Sequence, residues 1–405
     1  MNPIYLDYNA STPIDPAVAA VMRPLLEEGY GNPSSGHWAS APAKAALDEA
    51  RSRVAALLGC AADEIVFTSG GSEANNLALK GLFYQRGDRP SHIITSQIEH
   101  PAILEPCRFL ERLGATVTYV PVDGSGLVDP DDIRKAITRE TFLISVMHAN
   151  NEVGTIQPLS GIATIAREHG VLLHTDAAQS VGKIPARIDT LGVDLLSVAG
   201  HEIYAPKGIG ALYVRRGIKV EPLIHGAGHE GGRRAGTESA LLAAALGKAC
   251  EIARLGTELP EIRKLRDHFW ERLRIVFGNQ IVLNGHPEQR LPNTLSVSFI
   301  GRIGADILAR MPAVAASTGS ACHSGQIALS PVLKAMHVMP DRGLGTIRFS
   351  LGDTPRTRRS RRSSTSCARS SYERNGRGYN RGPTAFAAGR AVAPSTASVN
   401  VGRRG

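Results

Sequence analysis

Val171-Leu172-Leu173-His174-Thr175-Asp176-Ala177-Ala178-Gln179-Ser180 is a short apolar run that ends on a carboxylate and then on small residues. A run of that length fits a strand buried on both faces. Its polar end puts Asp176 just past the strand's carboxyl terminus, where open α/β sheets hold their ligand groups. Similar runs precede it at Glu64-Ile65-Val66-Phe67-Thr68, His92-Ile93-Ile94-Thr95, Val117-Thr118-Tyr119-Val120 and Leu143-Ile144-Ser145-Val146. Helical stretches lie between them. In Ser40 to Leu58, Ser40 is placed to cap, Pro42 suits the first turn, Leu47, Ala50, Val54 and Leu57 share a face, and Gly59 ends the helix. Strand and helix in alternation predict an α/β fold with a doubly wound, mostly parallel sheet.

A second region begins near Gly256. It holds a helix from Glu261 to Phe277, a strand Thr294-Leu295-Ser296-Val297-Ser298-Phe299, and a Gly/Ser-rich loop around Cys322. The expected organisation is an N-terminal arm (1–15) contributing to a small domain, a large domain (16–255), the small domain itself (256–353) and a basic tail (354–405).

The tail accounts for the charge. The 405 residues carry 46 Lys plus Arg against 37 Asp plus Glu, but twelve Arg and one acid, Glu373, lie from Thr354 onward. The remaining residues carry 34 basic and 36 acidic side chains, so the excess says nothing about the body's partners, and nucleic acid is not expected among them. The tail has no Leu, Ile, Met or Trp, cannot bury enough apolar surface to offset its ordering entropy, and is expected to be disordered. No basic-then-apolar leader opens the sequence and no long apolar run interrupts it, so the expectation is a soluble, cytoplasmic protein without membrane contact. Five scattered cysteines, Cys60, Cys107, Cys250, Cys322 and Cys367, suit neither a disulfide framework nor a CxxC zinc site.

Several stretches carry chemistry. Phe67-Thr68-Ser69-Gly70-Gly71-Ser72-Glu73-Ala74-Asn75-Asn76 reads as a strand, a small-residue turn and a helix start, a setting for a phosphate or an ordinary connection. Asp176 can hold a heteroaromatic nitrogen protonated or cap a helix. His100, on the carboxyl side of a strand, can stack on a flat cofactor, move protons, or be a plain surface histidine. Cys322, in Ala316-Ser317-Thr318-Gly319-Ser320-Ala321-Cys322-His323-Ser324-Gly325, lacks the apolar neighbours of a structural cysteine and suits redox or nucleophilic use. Arg348, alternating out of Gly345-Thr346-Ile347-Arg348-Phe349-Ser350-Leu351-Gly352, can clamp a carboxylate or form an ion pair.

Together with Tyr5-Leu6-Asp7-Tyr8-Asn9-Ala10-Ser11-Thr12-Pro13, Tyr30-Gly31-Asn32-Pro33-Ser34-Ser35, Met147-His148-Ala149-Asn150-Asn151-Glu152-Val153-Gly154, Asp176-Ala177-Ala178-Gln179-Ser180-Val181-Gly182-Lys183 and Gly226-Ala227-Gly228-His229-Glu230, these stretches form one collinear set. The set resembles the cysteine desulfurases of the NifS/IscS type, fold-type I pyridoxal phosphate enzymes of the class V aminotransferase group. It runs from Tyr5 to Gly352, nearly nine-tenths of the sequence.

The resemblance implies removal of sulfur from L-cysteine, giving L-alanine and a persulfide on Cys322. The sulfur would go to an iron–sulfur scaffold protein or another acceptor, with nitrogenase, general cluster assembly and tRNA thiolation all open. It implies pyridoxal 5′-phosphate as cofactor and a homodimer. Gly71, Ser72 and His201 match cofactor-binding positions, and Thr237 matches a threonine that reaches the phosphate from the partner subunit. Asn151 and Gln179 match residues at the phenolic oxygen, Asp176 the pyridinium partner, and His100 the stacking histidine and proton carrier. Asn32, Asn151 and Arg348 match substrate-binding positions, and Cys322 also a transient iron–sulfur ligand through its persulfide. Other readings are a selenocysteine lyase-like enzyme and an inactive homologue acting as a scaffold.

Two features depart from the family. Its Ser-x-Ser-Gly-His-Lys reads Ser197-Val198-Ala199-Gly200-His201-Glu202, so Glu202 stands at the Schiff-base lysine position and Ala199 at a phosphate-binding serine. Lys207 matches a lysine the family carries in addition. After Gly352 the family's amphipathic helix gives way to Arg/Ser-rich sequence. Our hypothesis is that one or both are gene or sequence lesions; finding both intact in independent isolates would overturn it.

Overall fold

The computed structural model describes residues 3–256, 259–323 and 326–352. After β1 (Ile4–Tyr5), the central sheet is built from β2 (Ile65–Thr68), β3 (His92–Ser96), β4 (Thr116–Val120), β5 (Thr141–Ser145), β6 (Leu172–Asp176), β7 (Leu195–Ala199) and β8 (Gly210–Val214). Their order across the sheet is β2-β8-β7-β6-β5-β3-β4, and β8 alone runs against its neighbours. The sheet is therefore mostly parallel, as expected.

Its strands read as near-continuous apolar runs because both faces are covered. Ile93 and Leu143 belong to one hydrophobic core, while their chain neighbours Ile94 and Ile144 belong to another. His174 is a polar exception inside this sheet. Its ring nitrogens meet Ser145 Oγ at 2.9 Å and Ser197 Oγ at 3.0 Å, tying β5, β6 and β7 together. Burial pushes this imidazole down to about 3.

The helix predicted after Ser40 spans Ala41–Leu58, buries Leu47, Ala50, Val54 and Leu57, and ends at Gly59 with φ +78°. Ser40, however, does not cap it. A 3-10 turn, Trp38–Ser40, runs into the helix, so Ser40 already has helical φ/ψ and its hydroxyl donates backwards to the carbonyls of Ser35 and His37.

The later strands are β9 (Ile281–Asn284), β10 (Thr294–Phe299), β11 (Val314–Ala315), β12 (Ser317–Thr318), β13 (Ser320–His323), β14 (Gln326–Leu329) and β15 (Thr346–Ser350). A four-stranded antiparallel sheet, β12-β15-β10-β9, packs Leu295, Val297, Phe299, Ile347 and Phe349 against Phe269, Trp270 and Leu273 of the helix Pro260–Phe277. β1 pairs with β11, bringing the chain's start alongside this region. The loop expected around Cys322 is instead strand: β13 and β14 pair from Ser320↔Leu329 to His323↔Gln326. Short Ser, Ala and Gly side chains gave no alternating pattern, and the backbone pairing decides the conformation. The disorder expected for 354–405 lies outside the described residues. Among the described residues, no helix is long and apolar enough to cross a membrane, and no group of three His, Cys, Asp or Glu could hold a metal.

Candidate active site

A cavity of about 550 Å³ opens at the carboxyl ends of the parallel strands. Ser69 to Ser72 line it after β2, His100 after β3, Met147 and Ala149 after β5, Asp176 at the end of β6, Ala199 at the end of β7, and His201 and Glu202 after it. Asn9 and Arg348 close it from the N-terminal arm and β15.

The turn after β2 is built for close approach. Gly70 has φ +152°, a backbone state that L side chains rarely adopt. The turn passes so near the start of β8 that a Cβ on Gly210 would stand 2.7 Å from the Gly70 Cα and 2.5 Å from the Val198 carbonyl oxygen. The helix Gly71–Tyr84 begins here, its first residues Gly71, Ser72 and Glu73 line the cavity, and the N–H groups at a helix start can seat an anion. Ala199 abuts Gly71, with 3.2 Å between its Cβ and the place a Cβ on Gly71 would occupy.

Asp176 is 7% exposed and accepts from the Ala178 N–H at 3.0 Å and from Asn75 Nδ2 at 2.7 Å. The sequence reading missed Asn75. The available signal was its spacing, one turn after Gly71 on a helix face that is otherwise apolar. Asn75 lines the cavity, is 1% exposed, and keeps its Oδ1 without a partner.

His100 caps the helix Pro101–Glu111, its Nδ1 accepting from the Ala102 N–H at 3.1 Å, so the ring proton sits on Nε2. The preceding Glu99 points inward. Its carboxylate accepts from the Met147 N–H at 3.0 and 3.1 Å and from Ser96 Oγ at 2.6 Å. Burial, reinforced by the charge of Asp176, pushes Glu99 up to about 8.

At the other wall, Lys183 Nζ donates to Gln179 Oε1 at 2.8 Å and to Glu202 Oε2 at 3.2 Å. Gln179 thereby turns its amide nitrogen to the Asn9 carbonyl, 3.1 Å away. Burial draws the Lys183 ammonium down from its ordinary value, and Glu202 works against that. Lys207 also lines the cavity but is exposed.

Arg348 is 8% exposed. Its Nη2 donates to Asp7 Oδ1 at 2.8 Å and Ser317 Oγ at 3.0 Å, and its Nη1 to the Asn151 carbonyl at 3.1 Å. Its Nε is buried without a partner. Asn151 and Gln179 line the same cavity. Asn32 and Thr237 are exposed and do not line it, Asn32 accepting from the Ser34 N–H of its own turn. Cys322 sits in β13 opposite Ile327, and its side chain lies outside what is described.

Residues 4–355 match the aminotransferase class-V family. The cysteine desulfurase IscS of Dictyoglomus turgidum is 47% identical over 353 residues, covering 86% of this chain and 89% of that protein. The chain belongs to the class V aminotransferases, as a cysteine desulfurase. IscS of Methanosarcina thermophila is 45% identical over 353 residues, covering 86% of this chain and 87% of that protein. Among solved structures, a NifS-like protein superposes with a TM-score of 0.80 at 37% identity, covering 86% of this chain and 93% of its own. SspA in complex with cysteine gives 0.78 at 38% identity, covering 86% and 98%.

Cysteine desulfurases use pyridoxal phosphate, and the cavity fits that group in part. The helix terminus at Gly71, the Asn75–Asp176 pair and the unpartnered Asn75 Oδ1 suit a phosphate and a polar ring. The position after His201 does not fit covalent attachment, because it bears a carboxylate already bonded to Lys183.

Proposed function

We propose that this cavity is where the cysteine desulfurase binds its phosphate cofactor and L-cysteine. The reading rests on one observation: Asp176, His100, Gln179, Asn151, Arg348 and the Gly71–Ser72 helix terminus line a single cavity. When bound, pyridoxal phosphate supplies an electron sink for the substrate's α-carbon. The protein's residues do the rest. Gly71 and Ser72 hold the phosphate by backbone N–H groups, and Thr237 reaches it from a second copy in a homodimer. Asp176, fixed by Asn75, would keep the ring nitrogen protonated, His100 would carry protons on Nε2, and His201, Gln179 and Asn151 would complete the cofactor's binding site. Arg348 takes the cysteine carboxylate beside Asn151, and Cys322 accepts the sulfur as a persulfide and passes it to an iron–sulfur scaffold or another acceptor. Residues 16–255 form the large domain and 256–353, with the arm 1–15, the small one.

Sulfide release from L-cysteine, with a thiol reductant and added pyridoxal phosphate, tests the reading on the protein as it stands and on Glu202→Lys. The expected result is turnover restored by the lysine; a folded, loaded, inactive Glu202→Lys protein would sink it. The Glu202–Lys183 pair favours a second reading for the natural chain, a homologue that keeps its partner contacts without turnover.

A further inference from the structure

The cavity's wall at Glu202 has a chemistry of its own. Glu202 is 3% exposed, lines the cavity, and spends one carboxylate oxygen on Lys183. Its other oxygen, Oε1, has no hydrogen-bond partner among the described residues. Lys183 is not in the lining: its ammonium is held behind the wall by Gln179 and Glu202. The pair therefore presents to the ligand an acceptor, not an amine. Ala199, three residues before Glu202, abuts Gly71 at the anion seat. One short stretch thus brings a place for a phosphate beside a place for a cation.

We propose that this cavity selects pyridoxamine 5′-phosphate, the primary-amine form of the cofactor, over the aldehyde, with Glu202 as the acceptor for its ammonium and Lys183 as the positioning residue. The inference rests on the cavity being the cofactor site. Phosphate and amine hang from neighbouring ring carbons of that molecule, which matches the adjacency of Ala199 and Glu202. A buried carboxylate is stabilised by charge-assisted hydrogen bonds, and a ligand ammonium supplies one where an aldehyde offers only another acceptor. Asp176 does not compete for the ammonium, since the site reading sets it against the ring nitrogen, across the ring from the carbon that bears the amine. No bond is made or broken: the selection is by charge and hydrogen bonding alone.

Dissociation constants of the full chain, freed of bound vitamer by dialysis, are measured by equilibrium dialysis for three probes. These are pyridoxamine 5′-phosphate, pyridoxal 5′-phosphate and the neutral pyridoxine 5′-phosphate. The amine form is expected to bind about tenfold or more tightly than the other two. In Lys183→Met/Glu202→Gln, which removes both buried charges and so preserves folding, the preference is expected to shrink to about twofold. Aldehyde binding as tight as amine binding overturns the inference and leaves the site reading standing. So does a borohydride-reduced pyridoxyl adduct on Lys183 or Lys207 of the natural chain, located by peptide mass. Failure of all three probes to bind overturns both.

Discussion

Lys183 Nζ lies 3.2 Å from Glu202 Oε2, with the two side chains only 7% and 4% exposed. Both charges are largely withdrawn from solvent, so each depends on the other. Removing one partner from such a pair leaves an uncompensated buried charge, while removing both together is close to neutral. Lys183→Met is therefore expected to lower unfolding stability by about 3–5 kcal/mol, and Lys183→Met/Glu202→Leu to recover most of that. Urea unfolding of the two variants decides; equal losses in single and double variants would show the pair to be uncoupled.

Asn75 and Asp176 form a second dependence, 2.7 Å apart and buried. Asn75→Ala leaves one Asp176 oxygen without its donor, at a cost of about 1–3 kcal/mol. Asn75→Asp places a carboxylate against a carboxylate, so its added cost is expected to shrink as the pH is lowered and one of the two takes a proton. Thermal melts of both variants at two pH values check this, and a pH-independent Asn75→Asp penalty would contradict it.

The legible part of this protein was what sequence pattern reports directly. Buried parallel strands announce themselves as apolar runs, and the motif residues at their carboxyl ends, Asp176, His100 and Gln179, converge in one cavity. The partnerships were not legible. Asn75 meets Asp176 across 101 residues of chain, and Arg348 meets Asp7 across 341, distances over which local pattern carries no information. Lys183 looked like the end of a motif; only the fold places it behind Glu202. The hairpin holding Cys322 is not legible as strand because Ser320-Ala321-Cys322-His323 offers no alternation of apolar and polar residues.

Arg348 enters the cavity already committed, with Asp7 on one Nη and the Asn151 carbonyl on the other. Those contacts aim the guanidinium, which lines the cavity with its Nε buried behind it. In the Glu202→Lys background, Arg348→Ala is expected to raise the KM for L-cysteine about 10- to 100-fold, the loss of a charge-assisted hydrogen bond. Arg348→Lys keeps the charge but not the fork, and is expected to recover only part of this. Sulfide-release kinetics give the comparison; an unchanged KM in Arg348→Ala would remove the residue from substrate binding.

Glu99 gives stability an unusual pH slope. Its native carboxyl titrates at about 8 against 4.5 for the ordinary group, so between those values the folded state holds a proton that the unfolded state has lost. Its contribution is therefore fullest below pH 4.5 and declines as pH rises toward 8. His148 and His174 act in the opposite sense lower down: burial draws them to about 4 and about 3, so acid below 6.5 protonates the unfolded chain first and destabilises the fold. The window from 6.5 to 8 thus belongs to Glu99 among these three groups. Glu99→Gln keeps an oxygen for the Met147 N–H and has no proton to lose. The natural chain is expected to lose melting temperature across that window while Glu99→Gln melts at a nearly constant temperature. Parallel slopes in the two proteins would mean that Glu99 is ionised in the fold, with its burial offset by the Met147 and Ser96 hydrogen bonds.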